Sequence, residues 1–258
     1  MDCMAFSTEH RATEADISDD VARWRGVGKV LALRMRDKTA DHPRAVGELV
    51  AVEGHGLQGD KYSNALSPRQ LLLAGIDVYL DLALNPMTLR ENLLVSFSTA
   101  ALASSGLLKV GRDVVLWMTF QCEACGHLEH RRPGIVRSIG KRRGMLARVL
   151  RGGVILPGDG VSYAESRIGS ISDRWQDRIA GVLQRVPEGK CLEFRQLALL
   201  AGVPKAYCRV FPKILSQLPP WMAGRAQAGS VADVGQRWTG AELFDVSASM
   251  GHGVLLSH

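Results

Sequence analysis

No run in the 258-residue chain approaches the roughly 18 to 20 uninterrupted apolar residues that a membrane-spanning helix needs, which argues against a helical membrane protein. The N-terminus, "MDCMAFSTEHRATEADISDD", is polar and acidic where a secretory leader is basic and then apolar, so the expected location is the cytoplasm. Cysteine is scarce. Cys3, Cys122, Cys125, Cys191 and Cys208 are odd in number and unevenly spread, which excludes a disulfide framework and fits a reducing compartment where thiols stay available for chemistry. No internal repeat or low-complexity tract is present. Acidic residues are missing between Glu129 and Asp159, a stretch that holds Arg131, Arg132, Arg137, Lys141, Arg142, Arg143, Arg148 and Arg151. That local positive charge reads either as a solvated loop or as an anion-binding rim beside the cysteines. What the chain does have is 46% hydrophobic residues, enough for a full core in one large or two modest domains. Its net charge of +6 points to an anionic partner, either a phosphate-bearing cofactor or nucleic acid.

From Gly28 to about Tyr163 short apolar runs are broken by Gly and Pro: "GKVLALRMR", "QLLLAG", "ENLLVSF", "LKVGRDVVLWMTF", "ARVLRGGVILPGDGVSY". Runs of this kind predict strands of a mostly β barrel or sandwich, interrupted by a helix such as Ile76 to Leu84. After the polar stretch "AESRIGSISD" the pattern changes. Trp175, Ile179, Val182, Leu183 and Val186 fall at helical spacing, with Ser172 as N-cap and Pro187 and Gly189 ending the run. Two further helices are expected over "EFRQLALLAG" and "PKAYCRVFPKILSQL", with Gly202 at the turn and Pro204 at the first helical position, a helix-turn-helix pattern. The expected organisation is an N-terminal arm over 1–25, a β-barrel domain over 26–165 and a small helical domain over 170–258.

The segment "TFQCEACGHLEH" places Cys122 and Cys125 two residues apart, with His127 and His130 behind them. These are residue types that zinc accepts. All four lie within one short segment, however, and closing them tetrahedrally on one ion would strain the loop, so no metal is assigned to them. A Cys-x-x-Cys pair passing a persulfide or closing a disulfide is the better reading, with Cys122 as the second thiol. The turn "GLQGDKY" has glycines that let backbone approach a ligand closely, and Asp60 and Lys61 are placed to bind or orient it, although a Gly-Asp pair also serves simply as a turn. Arg69, Glu91 and Asn92 are further polar candidates at strand or loop ends, with a purely loop-tying role as the alternative for the last two.

"GHGLQGDKYS", "SPRQLLL", "LRENLLV", "LLKVGRDVVL", "CGHLE" and "LARVLRGGVILPGD" follow one another in the order found in MOSC domains, which the chain resembles over roughly residues 26 to 163. The resemblance implies a mixed β-barrel fold and one cysteine that carries sulfur as a persulfide or meets the molybdenum of the molybdenum cofactor. By motif position that cysteine is Cys125. A sulfur carrier must react as the thiolate, which nearby cations stabilise, and the flanking basic segment would supply them; Arg142, Arg143 and Arg148 of that segment are expected, like Lys61, Arg69, Glu91 and Asn92, to bind substrate or cofactor beside the cysteine, and His127 joins the catalytic candidates. No pyridoxal-phosphate domain is present, so the sulfur donor would be a separate cysteine desulfurase.

"RIAGVLQRVPEGKCLEFRQLALLAGVPKAYCRVFPKILSQLP" resembles the DNA-binding domain of O6-alkylguanine-DNA alkyltransferases, in particular the alkyltransferase-like proteins, over about residues 172 to 221. The resemblance implies a winged-helix-like module that binds the minor groove, inserts an arginine and holds a flipped base. Where the family carries Pro-Cys-His-Arg or Pro-Trp-His-Arg this chain reads "PPWMAGR", so the alkyl-accepting thiol is absent and Trp221 follows Pro220. The family tyrosine is Phe194, Arg209 is the candidate inserted arginine, Lys205 and Lys213 are candidate phosphate contacts, and Pro212 should kink or shorten the recognition helix.

Together these features lead to an expected sulfur-carrier or sulfurtransferase-type protein that acts through Cys125 and is directed to a nucleic-acid or nucleobase substrate by its helical part. Two alternatives stay open: a molybdenum-cofactor-dependent reductase of N-hydroxylated compounds, and a non-enzymatic nucleic-acid-binding or scaffold protein.

Overall fold

The computed structural model describes residues 24–37, 42–166, 168–231 and 236–245. The expected arm over 1–25 lies outside them except for Trp24 and Arg25, and Arg25 already opens the first strand.

The Gly-broken apolar runs become β1 (Arg25–Met35), β2 (Arg44–Val46), β3 (Leu49–Val52), β4 (Gly56–Leu57), β5 (Leu71–Gly75), α1 (Ile76–Asp81), β6 (Leu93–Val95), β7 (Leu107–Val110) and β8 (Val114–Gln121). There follow α2 (Gly126–Arg131), α3 (Ile135–Ile139), a 3-10 turn over Gly140–Arg143, β9 (Met145–Arg151), β10 (Gly153–Ile155) and β11 (Gly160–Ala164). The strands run in the order β11-β7-β8-β9-β5-β6-β1-β2, and β1 also pairs with β11, closing a seven-stranded barrel that leaves β2 outside. Only β5 and β6 pair in parallel within it. Closure removes free edges. The lumen is filled by Leu33, Leu71, Leu73, Leu93, Leu108, Leu116 and Met118, all buried.

The helical half contains α4 (Trp175–Arg185), β12 (Leu192–Glu193), α5 (Phe194–Leu200), a 3-10 turn over Lys205–Arg209, α6 (Phe211–Leu215), α7 (Pro220–Ala223) and β13 (Ala226–Gln227). The amphipathic α4 buries Ile179, Val182 and Leu183. The expected third helix is broken: Pro212 sits in the first turn of α6, and only five residues of regular helix follow Val210. Proline lacks the N–H an interior helical position needs, so it starts a helix rather than continuing one. β12 and β13 pair in parallel, unlike the antiparallel hairpin of a wing.

The two halves share a core. Leu107 of β7 and Trp117 of β8 point out of the barrel and pack in one cluster with Ile179, Leu183, Leu197 and Phe211. Gly202 sits at the seam with φ +62, where a Cβ would come within 2.8 Å of both Phe120 and Pro68. A side chain there would push the halves apart.

Candidate functional site

All eight residues of β8 are buried, and the strand ends at the cysteine loop. The backbone N–H of Cys122 donates to Gly144 O at 2.8 Å, extending the β8–β9 ladder by one bond. Gly144 has φ +124 and is backed so closely by the Leu73 carbonyl that no Cβ fits. Cys122 is buried among Leu72, Phe120 and Leu146, with Sγ 3.9 Å from Arg69 Nη2. Cys125 is exposed, at the N-cap of α2, where its carbonyl accepts the N–H groups of Leu128 and Glu129. The two thiols therefore differ in exposure, Cys122 buried and Cys125 open to solvent. The His127 side chain lies outside the described residues. Among the described residues no group of three or more His, Cys, Asp or Glu is arranged to hold a metal ion.

Glu129 pins the turn from α2 to α3. Its carboxylate accepts the N–H of Gly134 at 2.6 Å and of Val136 at 3.1 Å, and these two bonds hold its acidity below the usual carboxylate range. A carboxylate whose pKa is depressed on folding contributes stability above its unfolded value, and that contribution is lost as pH falls through the folded one. Acidifying the protein from neutral pH to below about 4 should thus lower the protection factors of the Gly134 and Val136 amides, read against their intrinsic exchange rates at each pH, and Glu129→Gln should reproduce part of that effect at pH 7. Unchanged exchange in both cases would remove Glu129 from the anchoring of the loop.

Behind α2 and α3 lies a buried polar cluster. Leu128, Ile135 and Ile139 pack with Val78, Tyr79 and Leu89. Tyr79 OH donates to Glu91 Oε2 at 2.8 Å, Glu91 is ion-paired with Arg34, and burial pushes the Tyr79 phenol upward. Arg143 is 7% exposed, its charge acts on Tyr79, and its Nε and Nη1 have no hydrogen-bond partner among the described residues.

Asp60 and Asn92 occupy a separate knot. Asp60 accepts from Arg36 Nε and Nη2 at 3.0 Å each, from Arg36 N, from Tyr62 N and from Asn92 Nδ2 at 2.8 Å. Asn92 also accepts from Leu72 N and donates to Arg34 O. With its oxygens committed and 2% exposed, Asp60 is a framework residue, which corrects the expectation that it orients a ligand. Glu91 and Asn92, both fully buried, likewise tie strands together. The Lys61 ammonium lies 5.4 Å from the Tyr62 ring.

The basic segment is not one open rim. Arg148 is buried, donates to the carbonyls of Ala65 and Ser67, and stacks 4.2 Å from the Phe244 ring, and burial pulls its pKa down to about 10. Arg142 pairs with Asp81 of α1 at 2.7 Å. Of the three expected beside the cysteine, Arg143 alone is buried with unpartnered nitrogens.

Residues 65–162 match the family model of the MOSC domain. Over that stretch the chain is similar to MOSC domains. That family includes sulfurtransferases and molybdenum-cofactor-binding proteins. Among solved structures, the chain is similar to the YuaD protein from Bacillus subtilis, at 18% identity and TM-score 0.48, covering 55% of this chain and 99% of that one. It is also similar to YiiM from Geobacillus stearothermophilus (14%, TM-score 0.46, 72% and 98%) and from Escherichia coli (18%, TM-score 0.43, 77% and 99%). No curated protein matches the sequence.

The helical half touches the barrel at its cysteine loop. Arg178 of α4 donates to the carbonyls of Ala201, Ser172 and Asp173, pairs with Glu123 between the two cysteines at 3.1 Å, and lies 3.8 Å from the Phe120 ring. Arg69, before β5 of the barrel, reaches back to Gly202 O at 3.0 Å. Within the helical half, Lys205, Arg209 and Lys213 are exposed. Phe194 is not: it is 8% exposed and packs edge-on against Phe211 at 5.5 Å, so as a candidate nucleic-acid contact it is corrected to a core residue. Trp221 is 55% exposed, with the Arg225 guanidinium 4.6 Å from its ring.

Sequence reasoning missed Arg34, Arg36, Arg178 and Arg225. The first two stand two apart in "LRMR", Arg34 within β1 and Arg36 one residue past its end. Arg178 sits beside Ile179 in a helix whose apolar stripe faces inward, and nothing local marks it as buried.

Proposed function

We propose that the MOSC domain uses Cys125 as a sulfur carrier, receiving sulfane sulfur from a separate persulfide donor of the cysteine desulfurase type. The Cys125 thiolate attacks the terminal sulfur of the donor persulfide. The donor's S–S bond breaks, the donor leaves as a thiolate, and Cys125 becomes a persulfide with no net oxidant consumed. One observation carries this reading: Cys125 is the exposed thiol among the described cysteines, at the N-cap of α2 in the loop that follows the wholly buried β8. Incubation with a cysteine desulfurase and cysteine should add the mass of one sulfur atom at Cys125, and Cys125→Ala should abolish the gain. No gain, or a gain that survives the substitution, ends the proposal.

A second reading is supported by Arg143. A thiolate is a soft ligand suited to molybdenum, and a buried guanidinium with unpartnered nitrogens suits a phosphate, so on this reading Cys125 would meet the metal and Arg143 a phosphate of the molybdenum cofactor. When bound, the cofactor would supply two-electron redox chemistry, as a reductase of N-hydroxylated compounds needs. Metal analysis of protein from a cofactor-competent host separates the readings: molybdenum retained by the native chain and lost in Cys125→Ala favours the second.

The helical half, on this proposal, brings nucleic acid to the thiol. The exposed Lys205, Arg209 and Lys213 and the Trp221 ring support it. Arg209→Ala should lower the dependence of log K on log salt by about 1, and Trp221→Ala should weaken binding of an unstacked base by about 1–3 kcal/mol. Gel shifts at two salt concentrations check both. No retardation of any duplex or single strand would leave the helical half as a protein-docking or scaffold element.

A further inference from the structure

A cavity of about 290 Å3 opens at the seam between the barrel and the helical half. It is lined by Leu102 and Ser104 before β7, Gln121 at the end of β8, Lys141 of the 3-10 turn, and Ile171 and Asp173 before α4. Gln121 is 7% exposed, and its Nε2 donates to the carbonyls of Thr99 and Leu102, at 3.0 and 3.3 Å. Carbonyl oxygens only accept, so the carboxamide cannot be turned over and Oε1 remains the free end. That atom is buried and has no partner among the described residues. A buried acceptor without a donor is unfavourable, and the cavity is close to the lower end of ligand-pocket volumes, about 300–1,000 Å3.

The charges beside it narrow the ligand. Lys141 Nζ and Asp173 Oδ2 are 3.8 Å apart, at the outer limit of ion pairing. Asp173 Oδ1 is committed to the Gln121 backbone N–H at 2.8 Å, which leaves Oδ2 for a cation. An anion alone would meet Asp173, and a cation alone would meet Lys141. A molecule with a carboxylate and an ammonium on one carbon satisfies both charges. We infer that the seam cavity binds a free α-amino acid, with its carboxylate on Lys141 and its ammonium on Asp173 Oδ2. This rests on the cavity alone and not on the chemistry of Cys125.

The test uses the full chain with L-alanine as probe, and acetate and methylammonium as half-molecules, followed by saturation-transfer NMR and calorimetry. L-alanine should bind with a Kd of about 1 mM or tighter, and each half-molecule at least about tenfold more weakly. Lys141→Ala and Asp173→Asn should each weaken L-alanine about tenfold or more. The Lys141 side chain is 74% exposed, and asparagine keeps an oxygen for the Gln121 N–H, so both variants retain the fold. No binding of L-alanine would mean that Lys141 and Asp173 serve only each other. That result, acetate binding as tightly as L-alanine, or affinity unchanged in both variants would each overturn the inference.

Discussion

Asp60→Ala is expected to destabilise the protein by about 3–5 kcal/mol, read as a fall in the urea midpoint with unchanged slope. The Arg36 guanidinium is 6% exposed, and its charge is balanced by Asp60 through two hydrogen bonds. Removing the carboxylate leaves that cation buried and unpaired, and also strips partners from Asn92 Nδ2 and the backbone of Tyr62. Against a total stability of roughly 5–15 kcal/mol for a typical domain, such a loss is large. Asp60→Asn keeps the shape but not the charge and should recover only part of it. A loss below about 1 kcal/mol, coupled to failure of Cys125 loading, would instead return Asp60 to the chemistry.

Arg178→Ala should produce the second large effect, about 2–4 kcal/mol, together with faster alkylation of Cys122. The substitution leaves the carbonyls of Ala201, Ser172 and Asp173 without their donor and frees Glu123, the residue after Cys122, while exposing the Phe120 face. Cys125 is exposed already and its alkylation rate should hardly move. Arg178→Lys restores the charge but not the planar fork or the stacking, so it should not restore protection of Cys122. Peptide-level mass spectrometry after timed iodoacetamide labelling measures both thiols. Equal protection of Cys122 in native and variant protein would show that α4 does not hold the loop.

The barrel was legible because each strand is a short apolar run ended by Gly or Pro, a pattern that needs no knowledge of distant contacts. The position of Cys125 was legible for the same reason: it follows the last apolar residues of β8. The environments of polar residues were not. Asp60 in "QGDKY" looks like a turn former beside a ligand, and its actual partner, Arg36, lies twenty-four residues earlier. The basic segment reads as one charged stretch, whereas its members end up against Asp81, Asp173, backbone carbonyls and Tyr79 on different elements. Pairing of this kind is decided by strand order, which local sequence does not encode. Pro212 shows the opposite case, where one local steric rule was enough to foretell the broken third helix.

Trp117 and Leu107 roof the outer wall of the barrel with helices, and Arg178 ties α4 to Glu123 beside the thiols. If α4 and the loop were coupled through that pair, thermodynamic reciprocity would require whatever alters the loop to change the binding of a ligand on the helices by the same factor as that ligand changes the loop.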